Sequence, residues 1–423
     1  MGTRKLKIGL LGCGTVGGGL VELVQRNSSL IRQRAGVELS ISKILVRDLL
    51  KERPGPVNRA LLTTQPDKVI NNGCDMVVEL VGGVEPARGF IQRSLARGKH
   101  VVTANKALLA VDGFSLMKAA EIQNVRLGFE ASVCGGIPII RALRNGLVGN
   151  RIHSLTGILN GTCNYILTRM TEDRVNFDAA LAEAQAKGFA EADPTLDVDG
   201  HDAAQKLKIL AELAFNTRVS SEAVETGGIR DITSDDIQAA RELGCVIKHV
   251  ASAELSDDSI SLKVEPVILP ASHQLGSIRD ENNAVLVRGD AVGDMLFSGK
   301  GAGSLPSASA VLSDIVDIAC HKGGFSAHPG NPLSAVRSNR EGRHYLRFPV
   351  VDPSAIGPIT NVLERNGVSV ERAAAVWAKS ASSQSQVRVL THPCKRDRLR
   401  ASERAIAALE LGSGKSLTLR LMA

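Results

Sequence analysis

The sequence predicts an α/β chain in three parts: a parallel-sheet domain, an α+β domain and a C-terminal βαββαβ module. Three observations carry this. Short apolar strand-like runs alternate with helix-period segments through the first 130 residues, the pattern of parallel strands joined by crossover helices. From about Gly135 the pattern changes to longer helices followed by alternating segments. A stretch rich in Gly, Pro, Ser and Asn, residues 323–340, then precedes a last run of strand and helix signals, as an interdomain linker should.

Taken in order, strands are expected at 6–11, 39–46, 75–80, 100–103 and 125–129, with helices opening at Thr15 toward Gln25 and at 88–96 and 114–122. The second part offers helices at 161–171 and 201–215, strands at 259–269 and 284–287, and a helix at 307–319. The last part reads as a strand at 344–351, a helix at 359–366, strand signals at 368–371 and 373–378, a strand at 386–390, a helix at 402–411 and a strand at 416–421. The expected domains are therefore 1–134 and 135–322, the chain returning to the first near 300–320, then the linker 323–340 and the module 341–423.

Composition narrows the function classes. With 43% hydrophobic and 22% charged residues the chain is neither disordered nor fibrous. Aromatics are 3%, which argues against base-stacking nucleic-acid platforms. No apolar run approaches the roughly 18 residues of a membrane span, so no membrane partner is expected. The basic start at Arg4 and Lys5 imitates a signal peptide, but its apolar run breaks at Gly12 and Gly14. Seven cysteines without a CxxC pair or a His at ligand spacing read as reduced thiols of a cytoplasmic chain. In such a chain the sequon Asn160-Gly161-Thr162 means little. Residues 331–423 hold 15 Lys and Arg against 7 Asp and Glu, more than the whole net charge of +7. This excess is read as a solvated Arg-rich surface, and nucleic acid is not expected as a partner.

Two constellations carry chemistry. Gly12-Cys13-Gly14-Thr15-Val16-Gly17 follows a predicted strand and opens a predicted helix. That context makes it a dinucleotide loop of Rossmann type, with glycines for close backbone approach and the pyrophosphate at an amide-rich helix end. At the end of the second strand Arg47, with Lys51 behind it, favours the phosphate of NADP, while the adjacent Asp48 is the NAD signal. Both coenzymes stay open. The second constellation runs from Glu191 through Asp197 to Asp202 and Lys206. A calcium loop fails, because Thr195 and Lys206 would fall where acids are required. Asp202 and Lys206 are four apart and share a helix face. Alone they would be a surface bridge. The density of acids beside them, in a cofactor-binding chain, raises them to site candidates.

At these residues the chain resembles the homoserine dehydrogenase family. The likeness runs through GLLGCGTVG, VVELVGG (77–83), VVTANKALLA (101–110), FEASVCGGIPII (129–140), GILNGTCNYILT (157–168), AKGFAEADPTLDVDGHDAAQKLKIL (186–210) and GKGAGSLPSASAVLSDIVDIA (299–319). The resemblance implies reversible hydride transfer between L-homoserine and L-aspartate 4-semialdehyde with NAD(P), in a homodimer or homotetramer. By motif it implies Lys206, Lys106 and Asp202 as catalytic and Glu191 as the acid for the substrate ammonium, with Asp197 a further candidate acid. It implies Gly12, Gly14, Thr15, Val16, Gly17, Ala104, Lys106 and Gly301 at the coenzyme. A monovalent cation, usually sodium, falls on mostly backbone oxygens at Glu130, Val133, Gly135 and Ile137. The chemistry agrees: an ammonium near the reacting oxygen stabilises its negative charge and can give the proton. Two lysines in one desolvated pocket are expected to lower each other's pKa.

The last 80 residues resemble an ACT domain, an amino-acid-sensing module often appended to this family. The usual Asp-x-Pro-Gly turn reads Asp352-Pro353-Ser354-Ala355, so a methyl group stands where an effector approaches the backbone, and insensitivity to threonine is expected. An acylating semialdehyde dehydrogenase would need an activated thiol with a His partner, and Cys134 and Cys163 lie in no activating motif. An inactive dinucleotide- and amino-acid-sensing protein is opposed by intact Lys106, Asp202, Lys206 and Glu191.

Overall fold

The computed structural model describes residues 3–257, 259–320, 333–336, 341–378, 384–412 and 414–422. Its first sheet is wholly parallel: β1 (Arg4–Leu11), β2 (Val37–Leu45), β3 (Leu62–Thr63), β4 (Met76–Glu79), β5 (His100–Thr103) and β6 (Leu127–Gly128). The strand order is β3-β2-β1-β4-β5-β6. This is the doubly wound dinucleotide-binding order, whose ligand crevice opens where the order reverses, between the C-terminal ends of β1 and β4. Helices cover both faces, so the central strands read as unbroken apolar runs: Ile8, Leu10, Leu11, Met76, Val77 and Val78 are all fully buried.

One helix departs usefully from expectation. The 114–122 segment is part of a helix that begins at Lys106 and runs to Ile122. Gly113 in the helix interior costs about 1 kcal/mol relative to alanine. Burial of Leu108, Leu109 and Leu116, and a cap from Asn105, outweigh it. Lys106 thereby becomes the first helical residue.

The return segment is the helix Ser304–Cys320, which packs on the helix Thr15–Arg26. A Cβ on Gly19 would lie 2.6 Å from Ser304 Oγ, so the glycine is what lets the two helices touch. Ser304 Oγ donates to Thr15 O at 2.8 Å. Ala308, Val311, Ile315 and Ile318 then share one core with Ile8, Leu10, Leu20 and Val78.

The second domain is built on β7 (Ile152–Ile158), β8 (Val224–Thr226), β9 (Cys245–Ser256), β10 (Ser259–Pro270), β11 (Asn282–Gly289) and β12 (Gly293–Lys300). The path β12-β11-β7-β9-β10 is antiparallel throughout, and the helix His201–Ala214 packs on β7, β9 and β10. The long strand β9 was missed because buried Lys248 and His249 interrupt its apolar pattern. Lys248 Nζ donates to Asn164 Oδ1 at 3.0 Å and to Ile278 O, and burial pulls its pKa down to about 8.

Most of the expected linker lies outside the described residues; within it β13 (Ser334–Ala335) pairs with β10. The module comprises β14 (Glu341–Pro349), a helix Ile356–Arg365, β15 (Val370–Val376), β16 (Gln386–Thr391), the short β17 (Cys394–Lys395), a helix Arg396–Ala407 and β18 (Leu417–Leu421). The strand signals at 368–371 and 373–378 are one strand, and the last helix starts at Arg396 rather than at 402. Its sheet joins the second through a short parallel pairing of β18 with β10.

Part of the basic excess of this module is spent on the second domain rather than on solvent. Several of its cations dock on acids of the second domain: Arg347 on Asp236 at 2.9 Å, Arg400 on Glu225 at 2.7 Å, Lys415 on Asp231 at 2.5 Å and Arg388 on Asp235 at 3.4 Å. In the turn that departs from the ACT pattern, Ala355 is buried and its amide donates to Asp352 O, while Ser354 N donates to Asp352 Oδ1. Among the described residues no helix is long and apolar enough to cross a membrane.

Candidate active site

The glycine loop after β1 has the shape a dinucleotide needs. Gly12 has φ +97°, and a Cβ there would lie 2.6 Å from Leu80 O at the end of β4. A Cβ on Gly17 would lie 2.7 Å from Gly12 O. Gly14, by contrast, faces open space, with nothing within 4 Å of an added Cβ. It caps the helix Thr15–Arg26 without a side-chain hydrogen bond, so the first-turn amides of Thr15, Val16 and Gly17 are left for an anion. This cradle fits a pyrophosphate. Arg47 lies exposed two residues beyond β2. A second guanidinium, Arg53, donates to Asp48 O in the same turn, with its Nε buried and unpaired.

A chain of buried polar groups then aims Lys106. Glu79, at the end of β4, accepts from Val81 N at 2.7 Å and Gly82 N at 3.2 Å through one oxygen, and from Thr103 Oγ1 at 2.6 Å through the other. Thr103 Oγ1 accepts from Asn105 N, and Asn105 caps the next helix by accepting from Leu108 N at 3.1 Å. Asn105 Nδ2 also donates to Gly83 O. The ends of β4 and β5 are thus locked together, with Ala104 between them and Lys106 leaving the junction toward the second domain. Glu79 and Asn105 were not singled out from the sequence, although Asn105 stands where a helix cap belongs.

The catalytic candidates meet at Asp202. It sits in the first turn of the helix His201–Ala214, which Gly200 starts with φ +89°. Asp202 is 4% exposed. Its Oδ2 accepts from Lys206 Nζ and from Asn160 Nδ2 at 2.8 and 2.7 Å, and its Oδ1 lies 3.3 Å from Lys106 Nζ. Lys206 Nζ also donates to Leu159 O at 2.8 Å. The ammonium has three donors, and two are used on fixed acceptors. Asn160 is the residue that sequence reading passed over. It is buried, caps the helix Gly161–Glu172 by accepting from Cys163 N, and also donates to Asp197 Oδ1 at 2.7 Å. A sequon pattern hid a helix-cap signal at a strand–helix junction.

The electrostatics correct one expectation. Lys206 is not lowered. Burial pulls Lys206 down, but the adjacent Asp202 carboxylate outweighs it and the net shift is upward. For Asp202, burial raises the pKa, and Lys206 and then Lys106 overcome this, so it is held below the usual carboxylate range. Asp197 is raised, first by burial. Cys134 and Cys163 are buried thiols raised chiefly by burial, which disposes of an acylating cysteine. Glu191 lies exposed, and its side chain makes no hydrogen bond or ion pair among the described residues. Its backbone oxygen accepts from Gln185 Nε2.

The 130–137 loop touches this site. The Glu130 carboxylate is already taken by Ile140 N at 2.8 Å and Arg141 N at 2.9 Å. Its main-chain oxygen accepts a long 3.5 Å bond from Val133 N, Ile137 O accepts from Ile139 N, and Val133 O and Gly135 O accept none among the described residues. Cys134 and Gly135 both take positive φ, which turns the chain here. Under-used carbonyl oxygens suit a hard cation. No cluster of three or more His, Cys, Asp or Glu side chains able to hold a metal occurs among the described residues. A Cβ on Gly135 would lie 2.6 Å from Gly301 O, so this loop and the Gly301 turn are in direct contact.

Known proteins match the chain over most of its length. Residues 12–130 match the family model "Homoserine dehydrogenase, NAD binding domain", and residues 138–316 match "Homoserine dehydrogenase". A homoserine dehydrogenase of Bacillus subtilis is 39% identical over 92% of both chains. The crystal structure of a homoserine dehydrogenase from Thiobacillus denitrificans superposes with TM-score 0.90 at 39% identity, covering 100% of this chain and 99% of that one. A hyperthermophilic archaeal homoserine dehydrogenase in complex with NADPH is 27% identical, with TM-score 0.64, over 75% of this chain and 98% of its own.

Proposed function

Because the chain belongs to the homoserine dehydrogenase family, we propose that the cluster of Lys106, Asp202 and Lys206 is where it converts L-homoserine and L-aspartate 4-semialdehyde into one another. The observation that carries this is one buried carboxylate gripping two ammonium groups at the junction of the two domains. NAD(P), held by the Gly12–Gly17 loop, would supply the hydride chemistry. Lys206, kept charged by Asp202, stabilises the oxygen that gains negative charge as the aldehyde is reduced, and gives it a proton. In the reverse direction it receives the alcohol proton. Lys106, 33% exposed against 11% for Lys206, links this centre to solvent.

Glu191 and Asp197 hold the substrate ammonium in this reading. Glu191→Gln is expected to raise the KM for homoserine roughly tenfold while kcat changes little, the mark of lost ground-state binding. Steady-state kinetics check this; an unchanged KM removes Glu191 from the substrate site.

The coenzyme is NADP in preference to NAD, with Arg47 on the extra phosphate. The solvent-exposed Arg47 has no ion pair among the described residues, and the archaeal relative binds NADPH. Arg47→Ala should then weaken NADP about tenfold or more, the worth of a charge-assisted contact, and leave NAD nearly unchanged. Equal loss for both coenzymes contradicts the assignment. A sodium ion on the main-chain oxygens of Glu130, Val133, Gly135 and Ile137 would brace the loop behind Gly301. Assembly as a homodimer or homotetramer is supported by β12, an exposed edge strand that presents Met295 and Leu296.

A further inference from the structure

Asn283 stands at the start of β11 and is 1% exposed. Its neighbour in register is set by the sheet: Ala284 pairs with Ile158 on β7, which brings Asn283 beside Leu159. Asn283 Nδ2 donates to Leu159 O at 2.9 Å, the same oxygen that accepts from Lys206 Nζ at 2.8 Å, and also lies 3.6 Å from Cys134 Sγ. Its Oδ1 is buried with no hydrogen-bond partner. Turning the amide over would set Oδ1 against Leu159 O, acceptor against acceptor, so the donor orientation is dictated. A buried unpaired acceptor is uncommon in native proteins, and here it accompanies a donor spent on the carbonyl that holds the lysine.

The carboxamide is also covered by a turn, and the backbone leading to it is held. A Cβ on Gly301 would fall 2.1 Å from Asn283 Cγ, so the Gly301 turn lies flat on the amide. Asn164 Nδ2 donates to the carbonyls of Ile278, Asp280 and Asn282, which fixes the segment leading into β11. We propose that Asn283 is a positioning residue for Lys206. By holding Leu159 O it fixes one of the two acceptors that orient the ammonium, and so sets the direction of the third N–H. The inference rests on the catalytic reading of Lys206.

Asn283→Leu tests it, because leucine nearly matches the shape, removes the donor and also removes the unpaired acceptor. The variant is expected to melt at or above the wild-type temperature and to bind NADPH with unchanged affinity by fluorescence titration. Its kcat should fall on the order of 10- to 100-fold with a small change in KM, as for a misaimed catalytic group. Wild-type kcat in a folded variant overturns the proposal; so does a parallel fall of melting temperature and coenzyme affinity, which marks a structural role. Should leucine not be accommodated, Asn283→Asp keeps the shape and donates to Leu159 O when protonated. Its turnover relative to wild type should decline as pH rises, and a pH-independent ratio contradicts the role. Lys206→Met run alongside separates the two claims. Full activity there overturns both, whereas loss there with normal turnover in Asn283→Leu overturns the role of Asn283 alone.

Discussion

Lys206→Met is expected to reduce kcat for homoserine oxidation by about 10²- to 10³-fold, with coenzyme affinity unchanged. The size follows from the loss of one donor aimed at developing charge, about 2.7–4 kcal/mol in a desolvated site. Lys206 is placed for that work by a carboxylate and a carbonyl at 2.8 Å each, and it lies on a helix of the second domain, away from the glycine loop. Methionine fills the space of the stem, so packing of the helix survives. Steady-state rates with a fluorescence titration of NADPH check both halves of the expectation. Activity within a few-fold of wild type would place the proton transfer elsewhere, with Lys106 as the remaining ammonium on Asp202.

Asp202→Asn should have an effect nearly as large, and its signature is a pH shift. In the wild type Lys206 is raised above the ordinary lysine value, so homoserine oxidation, which needs a neutral acceptor, is expected to keep improving as pH rises through the alkaline range. Without the carboxylate, burial is the largest remaining influence and pulls Lys206 down. The alkaline limb of the oxidation profile should therefore move to lower pH, and aldehyde reduction should lose its proton donor earlier. The same pair contributes to stability with opposite pH limits. Asp202 is depressed, so its contribution is present above the unfolded carboxylate value and lost as pH falls through the folded one. Lys206 is raised, so its contribution is present below the unfolded lysine value and lost as pH rises through the folded one. Removing one partner of a pair this buried typically costs about 3–5 kcal/mol; asparagine can keep an acceptor toward Lys206 and Asn160 but turns its Nδ2 donor toward Lys106. A thermal melt across pH together with the rate profile measures both. An unmoved alkaline limb would show that Asp202 does not govern the lysine.

Much of this site was legible in the residues alone, for physical reasons. The glycine loop declares itself through spacing, because positive φ at Gly12 and a close approach at Gly17 exclude side chains. Asp202 and Lys206 are readable because helical period places them on one face, and the structure brings Lys106 to the same carboxylate from 96 positions earlier in the chain. What was hidden is the polar scaffolding. Asn160, Glu79 and Asn105 act through hydrogen bonds to residues far along the chain or to backbone groups, and no local period marks them. Strand β9 was hidden for a related reason, since buried Lys248 and His249 break its apolar pattern while finding partners across the fold. The pKa of Lys206 required the distance to Asp202. The resemblance implies two cations in one pocket and helical period puts Asp202 beside Lys206; the distances show that this carboxylate holds both.

In the proposed reaction Lys206, gripped by Asp202 and Leu159 O, handles the proton that accompanies hydride transfer. A single-turnover stopped-flow experiment with homoserine carrying deuterium at the oxidised carbon tests it most directly. Lys206→Met should bind NADP and homoserine normally, reduce the coenzyme slowly and show a large deuterium isotope effect on that slow phase. Coenzyme reduction at the wild-type rate, with the delay displaced to product release, would contradict the account.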